Sequence, residues 1–98
     1  MKHLHYAGQV LAISDGLASM ITEAVSDFLF AGKSAVWPVA GYQDEREVVA
    51  QMQFGPGIPW LIVDSWLPDE RVPARHDDDS IAYIEGEKYS LDSDLPED

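Results

Sequence analysis

One stretch, Ser14 to Gly32 (SDGLASMITEAVSDFLFAG), constrains this chain more than any other, because it alone has clear helical periodicity. Leu17, Met20, Ile21, Ala24, Val25, Phe28 and Leu29 recur at the three- and four-residue spacing of one helix face. Ser19, Thr22, Glu23, Ser26 and Asp27 fall on the other side. Ser14 or Asp15 can cap the first free amides, and Gly32 can close the helix in a left-handed turn. Each large apolar side chain gains about 1.5–3 kcal/mol on burial, so the helix needs a partner surface.

The flanking segments read as that surface, a sheet. Residues 3–13 form two short strands about a turn at Ala7–Gly8–Gln9, with Leu4 and Tyr6 on one face and His3 and His5 on the other. Val10 to Ile13 is apolar on both faces, as a covered strand would be. Lys33 to Gly41 reads as a third strand, which Pro38 places at an edge or a bulge. Glu47 to Phe54 alternates most cleanly, with Val48, Ala50, Met52 and Phe54 expected beneath the helix. After the breaker Gly55–Pro56–Gly57, the run Trp60 to Val63 is apolar throughout and implies cover on both faces. The expected fold is α+β: an antiparallel sheet of four to six strands with one helix, 14–32, packed on one face.

Composition changes after Trp66. Residues 67–98 hold eleven acidic against three basic residues, so −8 of the chain's −12 sits in its last third. The expected organisation is therefore a core over 1–66 and an acidic segment over 67–98, within a single domain. Ile81, Tyr83, Ile84, Tyr89 and Leu91 are more large apolar groups than a solvating tail uses. Ser80 to Leu91 is accordingly expected to order against the sheet, as a hairpin about Glu85–Gly86–Glu87. Asp92 to Asp98 is expected to fray.

Such a charge opposes direct nucleic-acid binding, which depends on Lys and Arg neutralising phosphates, and opposes docking on anionic membranes. It favours a protein partner with a basic surface. The chain has no cysteine, which excludes thiolate chemistry, and MKHLHYAGQ lacks a signal-peptide core, so a cytoplasmic location is expected.

No catalytic or cofactor motif is present. His3 and His5 share a strand face as metal ligands would, but lack a third ligand nearby. His76–Asp77–Asp78–Asp79 offers hard oxygens without the spacing of a calcium loop. Asp15 and Asp64 are a candidate carboxylate pair with nothing local to shift either. No metal and no cofactor are expected.

Several residues carry a resemblance. Tyr6–Ala7–Gly8 stands in the opening hairpin, and Asp15 with Leu17–Ala18 opens the helix; Lys33–Ser34 leads to Trp37, and Gly57–Ile58–Pro59–Trp60 follows. In these features, over about residues 3–64, the chain resembles a group of short actinobacterial proteins of unknown function. Some of them bear the description ATP-dependent DNA ligase, although they are far too small to be one. Phe28–Leu29–Phe30 replaces the basic helix end usual there, and the acidic segment has no counterpart. The resemblance implies the fold and a bacterial or phage source, and no activity.

The expected function is a non-catalytic, acidic protein-binding module, in its sharper form an inhibitor or nucleic-acid-mimicking decoy. The expected contacts are Asp77, Asp78, Asp79, Glu85, Glu87 and Trp66. The alternatives are a small-ligand binder or small enzyme with Gly55, Pro56, Gly57 and Trp60 as pocket rim, and a homo-oligomeric structural protein. A homodimer is expected because one helix cannot cover both faces of Trp60 to Val63, the contact being the opposite sheet face or an edge strand.

Overall fold

The protein's structure, a computed structural model, describes residues 1–64 and 71–93, with side chains through Leu91. Its elements run β1 (Lys2–Tyr6), β2 (Gln9–Ile13), α1 (Asp15–Phe30), β3 (Ala35–Gln43), β4 (Arg46–Phe54), β5 (Trp60–Asp64) and α2 (Asp77–Ser93). The five strands make one antiparallel sheet in the order β4-β3-β2-β1-β5. The α+β class and the strand number are as expected, but the described residues hold two helices rather than one.

Helix α1 is set by its ends and its stripe. Ser14 Oγ accepts the Leu17 N–H at 3.0 Å. At the other end Lys33 N–H donates to Phe28 C=O and Gly32 N–H to Leu29 C=O, with Gly32 at φ +70°. That is the two-bond closure a left-handed glycine permits. Leu17, Ala18, Ile21, Ala24, Val25 and Phe28 are buried, while Met20 is half-buried and Leu29 exposed. The stripe is thus rotated toward Ala18, because α1 packs on the sheet with one flank and on α2 with the other.

The inner face of the sheet supplies the core. Leu4, Leu11, Ile13, Trp37, Val39, Met52 and Phe54 are buried there, with Val48 and Ala50 half-buried at the β4 margin. Trp37 sits at the centre, edge-on to Phe28 at 5.2 Å and tilted against Phe54 at 5.3 Å. Strands β3 and β4 pair over nine residues from Ala35↔Phe54 to Gln43↔Arg46, turning through Asp44 and Glu45, both at positive φ. Against β2, however, β3 makes a single bridge, Ala12↔Tyr42. Gly41 lies beside it, where an added Cβ would come within 2.7 Å of Ala12 C=O. Pro38 was expected at an edge or bulge; it lies within an interior strand, where the ladder to β2 has already ended.

Helix α2 fills the place that β2 leaves. The Ala40 N–H, free of a strand partner, donates to Ser80 Oγ at 3.0 Å. Ser14 Oγ donates to Asp77 Oδ1 at 2.6 Å, and Lys88 Nζ lies 3.4 Å from Glu23 and 3.7 Å from Asp27. Since the start of α2 meets the start of α1, and Lys88 meets the middle of α1, the two helices run parallel. Ile84 and Leu91 complete the buried stripe and join the common core.

This overturns the hairpin expected about Glu85–Gly86–Glu87. A helix buries Asp77, Ser80, Ile84 and Leu91 on one side, whereas strand alternation would have split them between two faces. Asp77, Asp78 and Asp79 in the first turn also suit the positive end of the helix dipole. Ser14 therefore serves both helices: it caps α1 and hydrogen-bonds the buried Asp77 carboxylate. Ser14→Ala should cost about 1–3 kcal/mol, above an ordinary cap deletion, because it also strips a buried carboxylate of a donor. Thermal or urea denaturation against Ser26→Ala, a solvent-side change on the same helix, measures this.

Candidate site: the outer face of the sheet

The face opposite the helices is built by the register of three strands. His5 pairs with Leu61 on one side and Val10 on the other; His3 pairs with Val63 and Ala12. Two cross-strand rows result, Leu61–His5–Val10 and Val63–His3–Ala12, all pointing away from α1 because Leu4, Tyr6, Leu11 and Ile62 point toward it. Leu61 is 59 % exposed, Val10 41 % and Val63 39 %. The expectation of cover on both faces of Trp60 to Val63 is not met among the described residues. Trp60 and Ile62 are half-buried on the helix side, while Leu61 and Val63 face outward.

No carboxylate, Lys or Arg stands in these two rows. Lys2 and Asp64, the next pair along, project on the inner side and bond each other. That hydrogen bond holds the Asp64 carboxyl below its ordinary range, and the same bond raises the Lys2 ammonium. Both groups are solvent-accessible, so water and salt screen the pair. Asp15 lies 3.9 Å from the chain's N-terminal nitrogen, so Asp15 and Asp64 each have a cation of their own rather than forming a carboxylate pair.

At its turn end the face leads into a hollow of about 390 Å³. Trp60 and Pro59 line one side and the Ala7–Gly8–Gln9 turn the other, with Tyr6, His5, Val10 and Leu61 between. Trp60 is held edge-on to Phe54 at 5.9 Å. Gly55 is buried against Ser34, where an added Cβ would meet the Ser34 Cβ at 2.5 Å, while Pro56 and Gly57 are exposed. Of the residues expected to rim a pocket, Trp60 takes part in this hollow, and Gly55 acts as a packing contact.

The five nominated carboxylates do not share a surface. Asp77 is buried on Ser14, and Asp78 is exposed. Asp79 Oδ2 lies 3.0 Å from His76 Nδ1 and lines a hollow of about 330 Å³ with Pro38, Val49, Ser80 and Tyr83. Glu85 lies on the opposite flank of α2, in a hollow with Met20, Glu23, Lys88 and Tyr89, and Glu87 is half-buried. A helix turns its residues through about 100° each, so five carboxylates over eleven positions point several ways. The expected fixed acidic surface is corrected accordingly. Trp66 lies outside the described residues.

Residues 71–76 are fastened to the outer side of the β3–β4 pair. Tyr42 Oη donates to Val72 C=O at 3.0 Å, the Arg71 guanidinium lies 4.9 Å above the Tyr42 ring, and the Arg75 N–H donates to Glu47 at 2.9 Å. This segment therefore covers the outer face near Tyr42, away from the Leu61–His5–Val10 row. Among the described residues no three His, Asp or Glu side chains group as a metal site, and no helix is long and apolar enough to cross a membrane. Sequence reasoning marked His3, His5 and Trp60 to Val63 one by one; it expected Val10 in a strand covered on both faces, whereas Val10 is exposed because three strands pair there without a second layer. No protein-family model, no curated protein and no solved structure matches the chain.

Proposed function

We propose that the protein is a non-catalytic protein-binding module that seats a partner on the outer face of β5, β1 and β2. The observation that carries this reading is the contiguous exposed set Leu61, Val10 and Val63 about His3 and His5, free of fixed charge in a chain of −12. Contiguous apolar surface left open on a folded chain marks an interaction site. The nearest carboxylates are paired, Asp64 with Lys2 on the inner side and Glu47 with Arg75, so the attraction for a basic partner comes from the chain's overall −12. The partner it fits presents an apolar centre within a basic margin, the usual arrangement of a dry centre and polar rim.

The decoy form of this reading, with Asp77–Asp79, Glu85 and Glu87 imitating a phosphate array, is not favoured, because those groups lie on different sides of α2. An inhibitor that occludes a basic-rimmed apolar patch remains within the reading. A second reading, a small-ligand binder, rests on the hollow of about 390 Å³ beside Trp60, a size that suits a small organic molecule.

The test is capture of partners from cells of the native host by the parent, by Leu61→Lys and by the double variant Asp78→Asn/Asp79→Asn. Leu61→Lys should lose the partner, because it places an ammonium in the apolar centre facing a basic margin. The double variant should retain it. Equal recovery by parent and Leu61→Lys would remove this surface as the seat.

A further inference from the structure

We infer that β4 pairs along its outer edge with β4 of a second copy, antiparallel about a two-fold axis at Val49. The backbone sets which groups are offered. Ala40 lies opposite Val49, and its N–H turns away from β4 to Ser80 Oγ. Pairs bonded between two antiparallel strands alternate, so Tyr42/Glu47 and Pro38/Gln51 are unbonded between β3 and β4 like Ala40/Val49. Glu47, Val49 and Gln51 therefore aim their own N–H and C=O groups outward, and β4 is an end strand of the sheet. Gln53 belongs to the same set, but its carbonyl accepts from Tyr6 Oη. Among the described residues the open ladder is thus 47–51, centred on Val49.

An unpaired edge of this kind is a template for another strand. The chemistry of the window selects a second copy of this chain. A two-fold at Val49 places Val49 against Val49, Glu47 against Gln51, and Val48 against Ala50. No charge then faces its like, although two chains of −12 approach each other. From Val48 to Phe54 the strand carries no charged residue, so repulsion is least here. Val49 is 46 % exposed on the outer side, and Val48 and Ala50 are half-buried on the core side. Pairing would cover the first and complete the apolar margin at the other two. The opposite edge strand, β5, has five residues, preceded by Pro59 and ended by Asp64. An isologous β4–β4 contact closes at two copies, whereas β4 on β5 would propagate.

Sedimentation velocity over the micromolar range tests the contact, with circular dichroism verifying that each variant is folded. The parent should sediment as a dimer and Val49→Lys as a folded monomer, whose melting temperature no longer rises with concentration. Because the chain has no cysteine, Val49→Cys and Val36→Cys each provide a single thiol. Val36 is an equally exposed outer residue one strand inward. A short bismaleimide should link Val49→Cys into covalent dimers and leave Val36→Cys monomeric, which decides the matter if Val49→Lys fails to fold. A monomeric parent, a dimer that survives Val49→Lys, growth beyond two copies, or equal cross-linking at both positions would overturn the inference.

Discussion

Trp37→Ala should be the most destabilising single change in the protein, lowering the free energy of unfolding by about 3–5 kcal/mol. Trp37 is fully buried where α1 meets the β3–β4 pair, between Phe28 and Phe54. Truncation to Ala leaves a cavity that two packed aromatic rings cannot collapse into. A domain of this size has only about 5–15 kcal/mol of net stability, so the variant should be largely unfolded in mild denaturant. Trp37→Phe should cost much less. It keeps a ring in the stack and removes the indole N–H, which is buried with no hydrogen-bond partner among the described residues. Urea denaturation followed by far-ultraviolet circular dichroism compares the two; equal midpoints would mean that the ring stack is not where the fold is held.

Ile84→Ala should come next, at about 2–5 kcal/mol, because Ile84 is completely buried where α2 meets the core. Its neighbour Tyr83, half-exposed on the flank of α2, should tolerate Ala at a cost near the ordinary surface range of about 0.5 kcal/mol. The comparison separates a helix built into the core from one laid loosely against it. A docked helix makes the two variants differ by several-fold in cost and keeps a single unfolding transition. A loosely held helix would give two small, similar costs.

The parts legible in the sequence are those whose determinants lie close together along the chain. Helix α1 combines Ser14, the apolar stripe and Gly32 within nineteen residues. Strand β4 shows its inner face, Val48, Ala50, Met52 and Phe54, by plain alternation. Helix α2 was hidden for two physical reasons. Gly86 stands in its interior, where Gly costs about 1 kcal/mol relative to Ala, and between two Glu residues it has the look of a turn. Its buried stripe also includes Asp77 and Ser80, polar residues whose side chains bond Ser14 and the Ala40 N–H, both distant in sequence. Without those partners the apolar period is broken.

The site was legible in its residues and not in its arrangement. The run Trp60 to Val63 announces two apolar faces, but which face stays uncovered depends on where the layers fall. Helix α2 docked on α1 and along the flank of β3 that β2 leaves, not across β5 and β1, and so left Leu61, Val63 and Val10 open. The carboxylates behaved in the opposite way. Their clustering in sequence suggested one surface, and helical geometry dispersed them.

The central claim is that the outer face of β5, β1 and β2 is an uncovered surface held for contact. The most direct measurement is the urea midpoint of Leu61→Lys against that of the parent. An uncovered Leu61 predicts unfolding free energies, read from those midpoints, that agree within about 0.5 kcal/mol, the ordinary range for a surface change. A loss of about 2 kcal/mol or more would place Leu61 inside a packed layer and contradict the account.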